Sequence, residues 1–299
     1  VYYQLRTSET LLKKAQENVD LERKNTTLIQ NRYDSGLTPD LEVKQSLSLL
    51  KTTEAQIPQL EQEVIQSKTS LAILVGELPG EIDTILKQGK NPMDKKSFSI
   101  KKTYLELPLT VIRNRPDVQS AEQNLIAQNA QIGVAIANLF PKVSFSGFLG
   151  LESLHAQQLL RHSSYGYSAI PQGNLPLFHF GSLWANIEAQ KALTDIQTQA
   201  YKSVLLTATG EVKSALVALD KEQKRNQKLY QAYLKASEVA HLIFNEYLNG
   251  LVSMSDVVSA EENRLSAQTN WIKSNGTLYQ NLIAFYKATG GHLNAPDKD

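Results

Sequence analysis

The sequence predicts a mainly α protein, built from long coiled-coil-like helical hairpins with one β-hairpin between them. Three observations predict it. One stretch occurs twice: Leu28-Ile29-Gln30-Asn31-Arg32-Tyr33-Asp34-Ser35-Gly36-Leu37 and Leu242-Ile243-Phe244-Asn245-Glu246-Tyr247-Leu248-Asn249-Gly250-Leu251 share Leu, Ile, Tyr, Gly and Leu, 214 residues apart. The register continues, matching Glu42 with Asp256, Val43 with Val257, Gln66 with Gln280 and Gly76 with Gly290. Apolar residues recur at helical steps on both sides of each copy. Between the copies, over residues 142–178, the period switches to two.

Each copy reads as the tip of a helical hairpin. Gly36 and Gly250 fall just past a helix end, where the chain needs positive φ. Self-similarity at so long an offset indicates a two-fold duplicated architecture rather than a solenoid. Residues 1–76 are the first hairpin. Leu5, Leu11, Leu12, Ala15, Val19, Leu21 and Leu28 give a narrow stripe suited to coiled-coil packing. Thr38 is expected as the N-cap and Pro39 as the first residue of the next helix. That helix should run to Gly76, with Pro58 kinking it or interrupting one hydrogen bond. Residues 77–105 carry Gly80, Gly89, Asn91-Pro92 and Lys95-Lys96 and read as an irregular connector subdomain. Residues 106–141 begin with a helical turn at Leu107-Pro108. They continue as a slim, Ala-rich helix opened by Arg115-Pro116-Asp117 and stopped by Phe140-Pro141.

Residues 142–178 are the β-hairpin. Val143, Phe145, Gly147, Leu149 and Leu151 lie on one face of the first strand, and Ser144, Ser146, Phe148 and Gly150 on the other. After a polar loop, Tyr167, Ala169, Pro171, Gly173, Leu175 and Leu177 alternate with Ser168, Ile170, Gln172 and Asn174. The strand length matches the roughly 9–11 residues needed to cross a bilayer in a barrel. A soluble hairpin with one buried face is the alternative. Residues 179–290 form the second helical hairpin. Its seam, Ala185, Ala189, Ala192, Ile196, Ala200, Val204, Ala208, Val212 and Leu216, is interrupted by a polar block from Asp220 to Lys228. That block should mark a bend or a solvent-facing section. The last helix, with Val257, Val258, Leu265, Trp271, Leu278, Leu282, Ile283 and Phe285, ends at Gly290-Gly291, and 291–299 is a tail.

Among the 299 residues, 31 Lys and Arg balance 30 Asp and Glu, so no net field draws the chain to nucleic acid. No apolar run is long enough for a transmembrane helix, so any membrane span must use strands. The absence of Cys excludes disulfides, thiolate catalysis and Cys-ligated zinc. His155, His162, His179, His241 and His292 show no metal-ligand spacing, and neither a phosphate loop nor a nucleophile elbow is present. An enzyme, a cofactor and a metal site are therefore not expected. Most carboxylates sit on polar helix faces and read as solvated. Glu42 and Asp256 stand apart, at matching places one turn past each tip, with Asp40 beside the first. In an oligomer they would form a carboxylate ring; they would also favour two helix N-termini by about a few tenths of a kcal/mol, and both can hold at once.

The stretch from Leu107-Pro108 through Arg115-Pro116-Asp117-Val118, Ala121-Glu122, Leu125, Asn129-Ala130, Ile132-Gly133, Phe140-Pro141-Lys142-Val143 and Gly147 closely resembles the outer membrane factors, the TolC-like efflux ducts, in their lipoprotein branch. Pro176-Leu177-Phe178, Gly181 and the two Tyr-x-x-Gly tips carry the same resemblance over essentially the whole chain. It implies a homotrimer with a periplasmic α-barrel and an outer-membrane β-barrel to which this hairpin contributes. The implied function is the exit duct of a tripartite efflux or type I secretion system, passing drugs or other small molecules, with a periplasmic adaptor (membrane fusion) protein, an inner-membrane pump and outer-membrane lipid as partners. A periplasmic adaptor or coiled-coil scaffold is the alternative, disfavoured by the duplicated hairpins.

The resemblance also implies roles. Gly36, Leu37, Thr38, Gly250, Leu251 and Val252 would be the periplasmic tips that meet the adaptor. Glu42, Asp256 and Asp40 would lie at the constriction, and Tyr247 would reach an acidic neighbour to hold it shut. Val252 stands where some members carry a basic gate residue, and Ser259 where a second acidic ring would stand, so this gate is expected to be held more weakly or by apolar contact. Val143, Phe145, Leu149, Tyr167, Leu175 and Leu177 would face lipid. Because the chain opens at Val1 inside an apparent helix, the strands of a first repeat and an acylated Cys are expected to precede it.

Overall fold

Apart from Arg6, buried positions along helix α1 (Tyr2–Asp34) follow steps of three and four: Leu5, Ser8, Leu11, Ala15, Asn18 with Val19, Glu22, Thr26 and Ile29. This is the spacing of a coiled-coil seam, and several of its positions are polar. Leu21 and Leu28, assigned to the stripe from the sequence, lie instead on the exposed side. They are next to the seam residues Glu22 and Ile29, and a polar seam residue beside an exposed leucine makes the apolar stripe look rotated. The computed structural model describes residues 1–87, 112–153, 155, 157, 160, 162–178 and 181–291. The turn expected at Leu107-Pro108, the connector beyond Lys87, His179 and the tail beyond Gly291 lie outside them.

The chain divides into two compact units, Val1–Leu107 with Glu211–Asp299, and Pro108–Gly210. In the first, α1 packs against α2 (Asp40–Glu54), α3 (Gln56–Val75) and the last helix, α7 (Met254–Ala288). Pro58 separates α2 from α3 because it has no N–H for the Glu54 carbonyl. A short α4 (Ile82–Lys87) closes an apolar cluster of Leu5, Val64, Ala72, Ile82 and Leu86. A second cluster, Val212, Leu219, Leu278, Phe285 and Ala288, joins α7 to the later part of α6 (Ser182–Leu248). The polar block does not break α6. Asn226 donates to the Ser274 hydroxyl at 3.3 Å, and that hydroxyl donates to Glu222 at 2.5 Å, so polar residues continue the seam. At Gly276, α7 comes so close to α1 that an added Cβ would fall on the Thr7 hydroxyl and within 3.0 Å of its methyl group.

The duplication is visible in how helices stop. Gly36 and Gly250 adopt φ of 73° and 77°, and Gly76 and Gly290 adopt 83° and 69°. At all four, the glycine N–H bonds the carbonyl three residues back and the next N–H reaches five back, the Schellman arrangement.

In the second unit, α5 (Pro116–Ala137) begins with proline at its first position. Arg115 grips Asp117 with two bonds of 3.0 and 2.8 Å. Gln128 of α5 donates to Gln190 of α6 at 2.8 Å. Strands β1 (Lys142–Leu151) and β2 (Tyr165–Asn174) pair antiparallel, setting Val143 opposite Gly173, Phe145 opposite Pro171 and Leu149 opposite Tyr167. The two faces are those expected from the alternation. Leu175 and Leu177 continue the pattern but fall beyond the end of β2. The Phe148 ring covers the paired Gly150 and Gly166, where a Cβ on Gly150 would meet it at 2.7 Å.

Candidate functional site

The two tips pack together within the first unit. Ile29 and Val43 of the first hairpin form one apolar cluster with Tyr247, Met254 and Val257 of the second, and Val252 packs against it. Hydrogen bonds cross between the hairpins at the tips. The Tyr247 phenol donates to Glu42 Oε2 at 2.6 Å, and Arg32 Nη1 donates to the Leu248 carbonyl at 3.3 Å, capping the end of α6. The Arg32 guanidinium also lies 5.7 Å from the centre of the Tyr247 ring. Burial, then the Glu42 carboxylate, raise the Tyr247 pKa, so the phenol stays a donor.

Glu42 and Asp256 hold the same third position of their helices, yet their partners differ. Ser253 caps α7: its hydroxyl accepts from the Asp256 N–H, while the Asp256 carboxylate accepts from the Ser253 N–H at 3.0 Å and hydroxyl at 2.7 Å. At the matching place in the first tip stands Pro39, which is the N-cap of α2 in place of the expected Thr38. Proline has no N–H and no side-chain oxygen, so no capping box forms there. The Glu42 carboxylate is thereby left to the Thr38 hydroxyl and Tyr247. Thr38 is buried by this role, while Leu37 and Leu251 stand 67% and 73% exposed.

Asp256 is exposed, and hydrogen bonds from Ser253 hold its carboxyl below the usual range. Mutual repulsion in a carboxylate ring would move it the other way; within one chain the capping box decides. Asp40 is also exposed and pairs with Lys44 at 2.6 Å. In the second unit, Val143, Phe145, Leu149 and Tyr167 on one face of the β-hairpin are 73–87% exposed.

Sequence reasoning passed over a group deeper in the first unit. From the sequence, Glu22 on α1 and Glu261 on α7 read as solvated carboxylates, yet both are buried, beside the buried Arg264. The available signal was position: Glu261, Arg264 and Gln268 continue the three- and four-residue steps from Met254 and Val257.

The Outer membrane efflux protein family model matches residues 107–291. Nodulation protein T of Rhizobium leguminosarum bv. trifolii is 29% identical over 265 residues, covering 87% of this chain and 54% of that protein. The solvent efflux pump outer membrane protein SrpC of Pseudomonas putida is 27% identical, covering 97% and 60%. The outer-membrane channel OprN superimposes with a TM-score of 0.75 at 28% identity, over 97% of this chain and 64% of that one. The chain thus spans just over half to three fifths of the length of these curated relatives. With more than half of its residues matched by the family model, over a region that holds the β-hairpin and the second helical hairpin, the chain belongs to the outer membrane efflux protein family.

Proposed function

We propose that this chain forms part of the exit duct of a tripartite efflux or type I secretion system, passing drugs or other small molecules from periplasm to exterior. The observation that carries the reading is the bare apolar face of the β-hairpin. Val143, Phe145, Leu149 and Tyr167 are 73–87% exposed among the described residues, as strands of a barrel facing lipid would be. The strands belong to the outer membrane and the helical hairpins to the periplasm. Three copies make the duct, as a coiled-coil tunnel, with an adaptor protein and an inner-membrane pump as partners. Leu37 and Leu251 offer exposed apolar contacts to the adaptor at the tips. Tyr247, bound to Glu42, holds the constriction shut, and Val252 adds apolar contact. An adaptor or scaffold is disfavoured by the two hairpins joined tip to tip.

Glu42 and Asp256, with Asp40 on the same turn as Glu42, give the constriction its cation preference, as acidic rings do in other pores. Planar-bilayer recordings test both parts. The full-length protein, with the first-repeat strands in place, should form cation-selective channels, and the double variant Glu42→Gln with Asp256→Asn should lose selectivity. Failure to insert overturns the duct. Insertion with an unchanged reversal potential in the double variant leaves these carboxylates as helix-end stabilisers only.

A further inference from the structure

The seam between α1 and α7 holds two carboxylates and one cation out of water. Glu22 is 2% exposed and Glu261 and Arg264 are little more so. Arg264 Nε donates to Glu261 Oε2 at 2.6 Å, and its Nη1 donates to Asn18 Oδ1 at 3.2 Å. Asn18 in turn donates to Gln268 at 2.8 Å, and Gln268 to the Tyr233 phenol of α6 at 3.3 Å. One oxygen of Glu22, Oε1, and the Arg264 Nη2 are buried without a hydrogen-bond partner. The guanidinium is thus committed to Glu261, and Glu22 is the carboxyl left over. A buried, ionised carboxylate without a cation of its own is strongly disfavoured, and taking up a proton removes the charge.

We propose that Glu22, Glu261 and Arg264 form a proton-binding site inside the helical seam, which fastens α1 to α7 while Glu22 is protonated and loosens them when both carboxylates are ionised. The groups facing Glu22 are few. From α7 they are Glu261, which raises its pKa, and Arg264, which lowers it; from α1 it is the uncharged Asn25, whose hydrogen bond lowers it. From α6, the Tyr233 phenol accepts from Gln268. From α2, Ser46 bonds Thr26 one turn along α1, and the Glu54–Arg23 pair lies at the surface. Burial is the largest influence, the Glu261 charge the second, and together they push the Glu22 carboxyl up to about 7. The sign follows from linkage. The folded chain holds this proton more tightly than the unfolded chain, so the stabilisation is complete below the unfolded value, near 4.5, and is lost as pH rises through about 7. The burial arises within one chain, so the site does not depend on the duct reading, and assembly can only deepen it.

Infrared difference spectra of the intact protein, titrated from about pH 5 to about pH 8.5 across the expected midpoint, test the site. A band of a protonated carboxylic acid should disappear with a midpoint near neutrality and be missing in Glu22→Gln. Amide hydrogen exchange in the middle of α1 and the facing part of α7, corrected for intrinsic rates, should accelerate across the same titration in the wild type and stay level in Glu22→Gln. Glu261→Gln retains Glu22 and frees Arg264 for it, so its midpoint should fall by more than about one pH unit. No titrating acid band, or one that persists in Glu22→Gln, overturns the proposal. Should Glu22→Gln fail to fold, an unshifted midpoint in Glu261→Gln overturns it equally.

Discussion

Tyr247 and Glu42 lie 205 residues apart and share a hydrogen bond of 2.6 Å, which ties the second hairpin to the first at their tips. The phenol is almost fully buried in the cluster of Ile29, Val43, Met254 and Val257. A neutral donor in an apolar setting, aimed at a carboxylate, makes a charge-assisted bond.

Tyr247→Phe keeps the ring and removes only the donor. Hydrogen bonds to charged groups contribute roughly 1.5–3 kcal/mol. The variant should expose the tip amides around 243–252 to faster hydrogen exchange by a corresponding factor, and single-channel conductance should rise. Unchanged exchange at the tips would show that the apolar cluster alone holds them together.

Asp256 offers a prediction with a pH sign. Its carboxyl is held below the ordinary range by Ser253, so its support of the α7 N-terminus is present above the ordinary value and lost as pH falls through the lowered one. Asp256→Asn should fray the first turn of α7 at neutral pH, and acidification below about pH 4 should bring the wild type toward the variant. Amide exchange at residues 254–258 in both proteins measures this.

Gly276→Ala should be strongly destabilising although it lies within a helix, where alanine is ordinarily favoured. Its Cβ would collide with Thr7, whose hydroxyl is fixed by a 2.7 Å bond to the Tyr3 carbonyl. Overpacking of this kind costs about 1–3 kcal/mol. Adding Thr7→Ala removes the two atoms in closest conflict and should recover part of the loss in a denaturant titration.

Cysteines placed singly along β1 report its two faces. In proteoliposomes, a water-soluble maleimide should label position 144 faster than 145, because Ser144 lies on the polar face opposite Gln172 and Phe145 on the apolar one. Arginine at Phe145 should impair insertion, by about 2–4 kcal/mol if that site lies near the bilayer midplane.

The tips, the strand pair and most helix ends, though not the start of α2, were legible in the sequence because each is written by residues with little conformational choice. Gly36 and Gly250 fix the left-handed turns, Pro116 marks a first turn, and the alternation from Val143 to Leu151, which only Gly147 and Phe148 blur, fixes the strand faces. The seam was harder to read. Its periodicity survives only if Ser8, Glu22 and Thr26 are counted as interior, and a polar side chain gives no sign by itself of which side of a helix it occupies. The different partners of Glu42 and Asp256 were hidden for another reason. They depend on Pro39 occupying the place of Ser253, and on a tyrosine that is distant in the chain.

The polar residues inside the seam also act as a vernier for the distance between the tips. Arg264 and Gln268 can each meet Asn18 at only one setting of α7 along α1. A purely leucine seam would tolerate a slide of one turn, about 5.4 Å, with little change in apolar contact. Here such a slide would break the bonds of Arg264 and Gln268 to Asn18 and strand a buried amide. Because α1 runs directly into the Gly36 turn and α7 starts just after the Gly250 turn, the same side chains set how level the two turns stand. A hydrogen bond as short as that of Tyr247 to Glu42 tolerates no misalignment near 5 Å. The alignment of the tips is therefore fixed several helical turns away, by residues that never touch them.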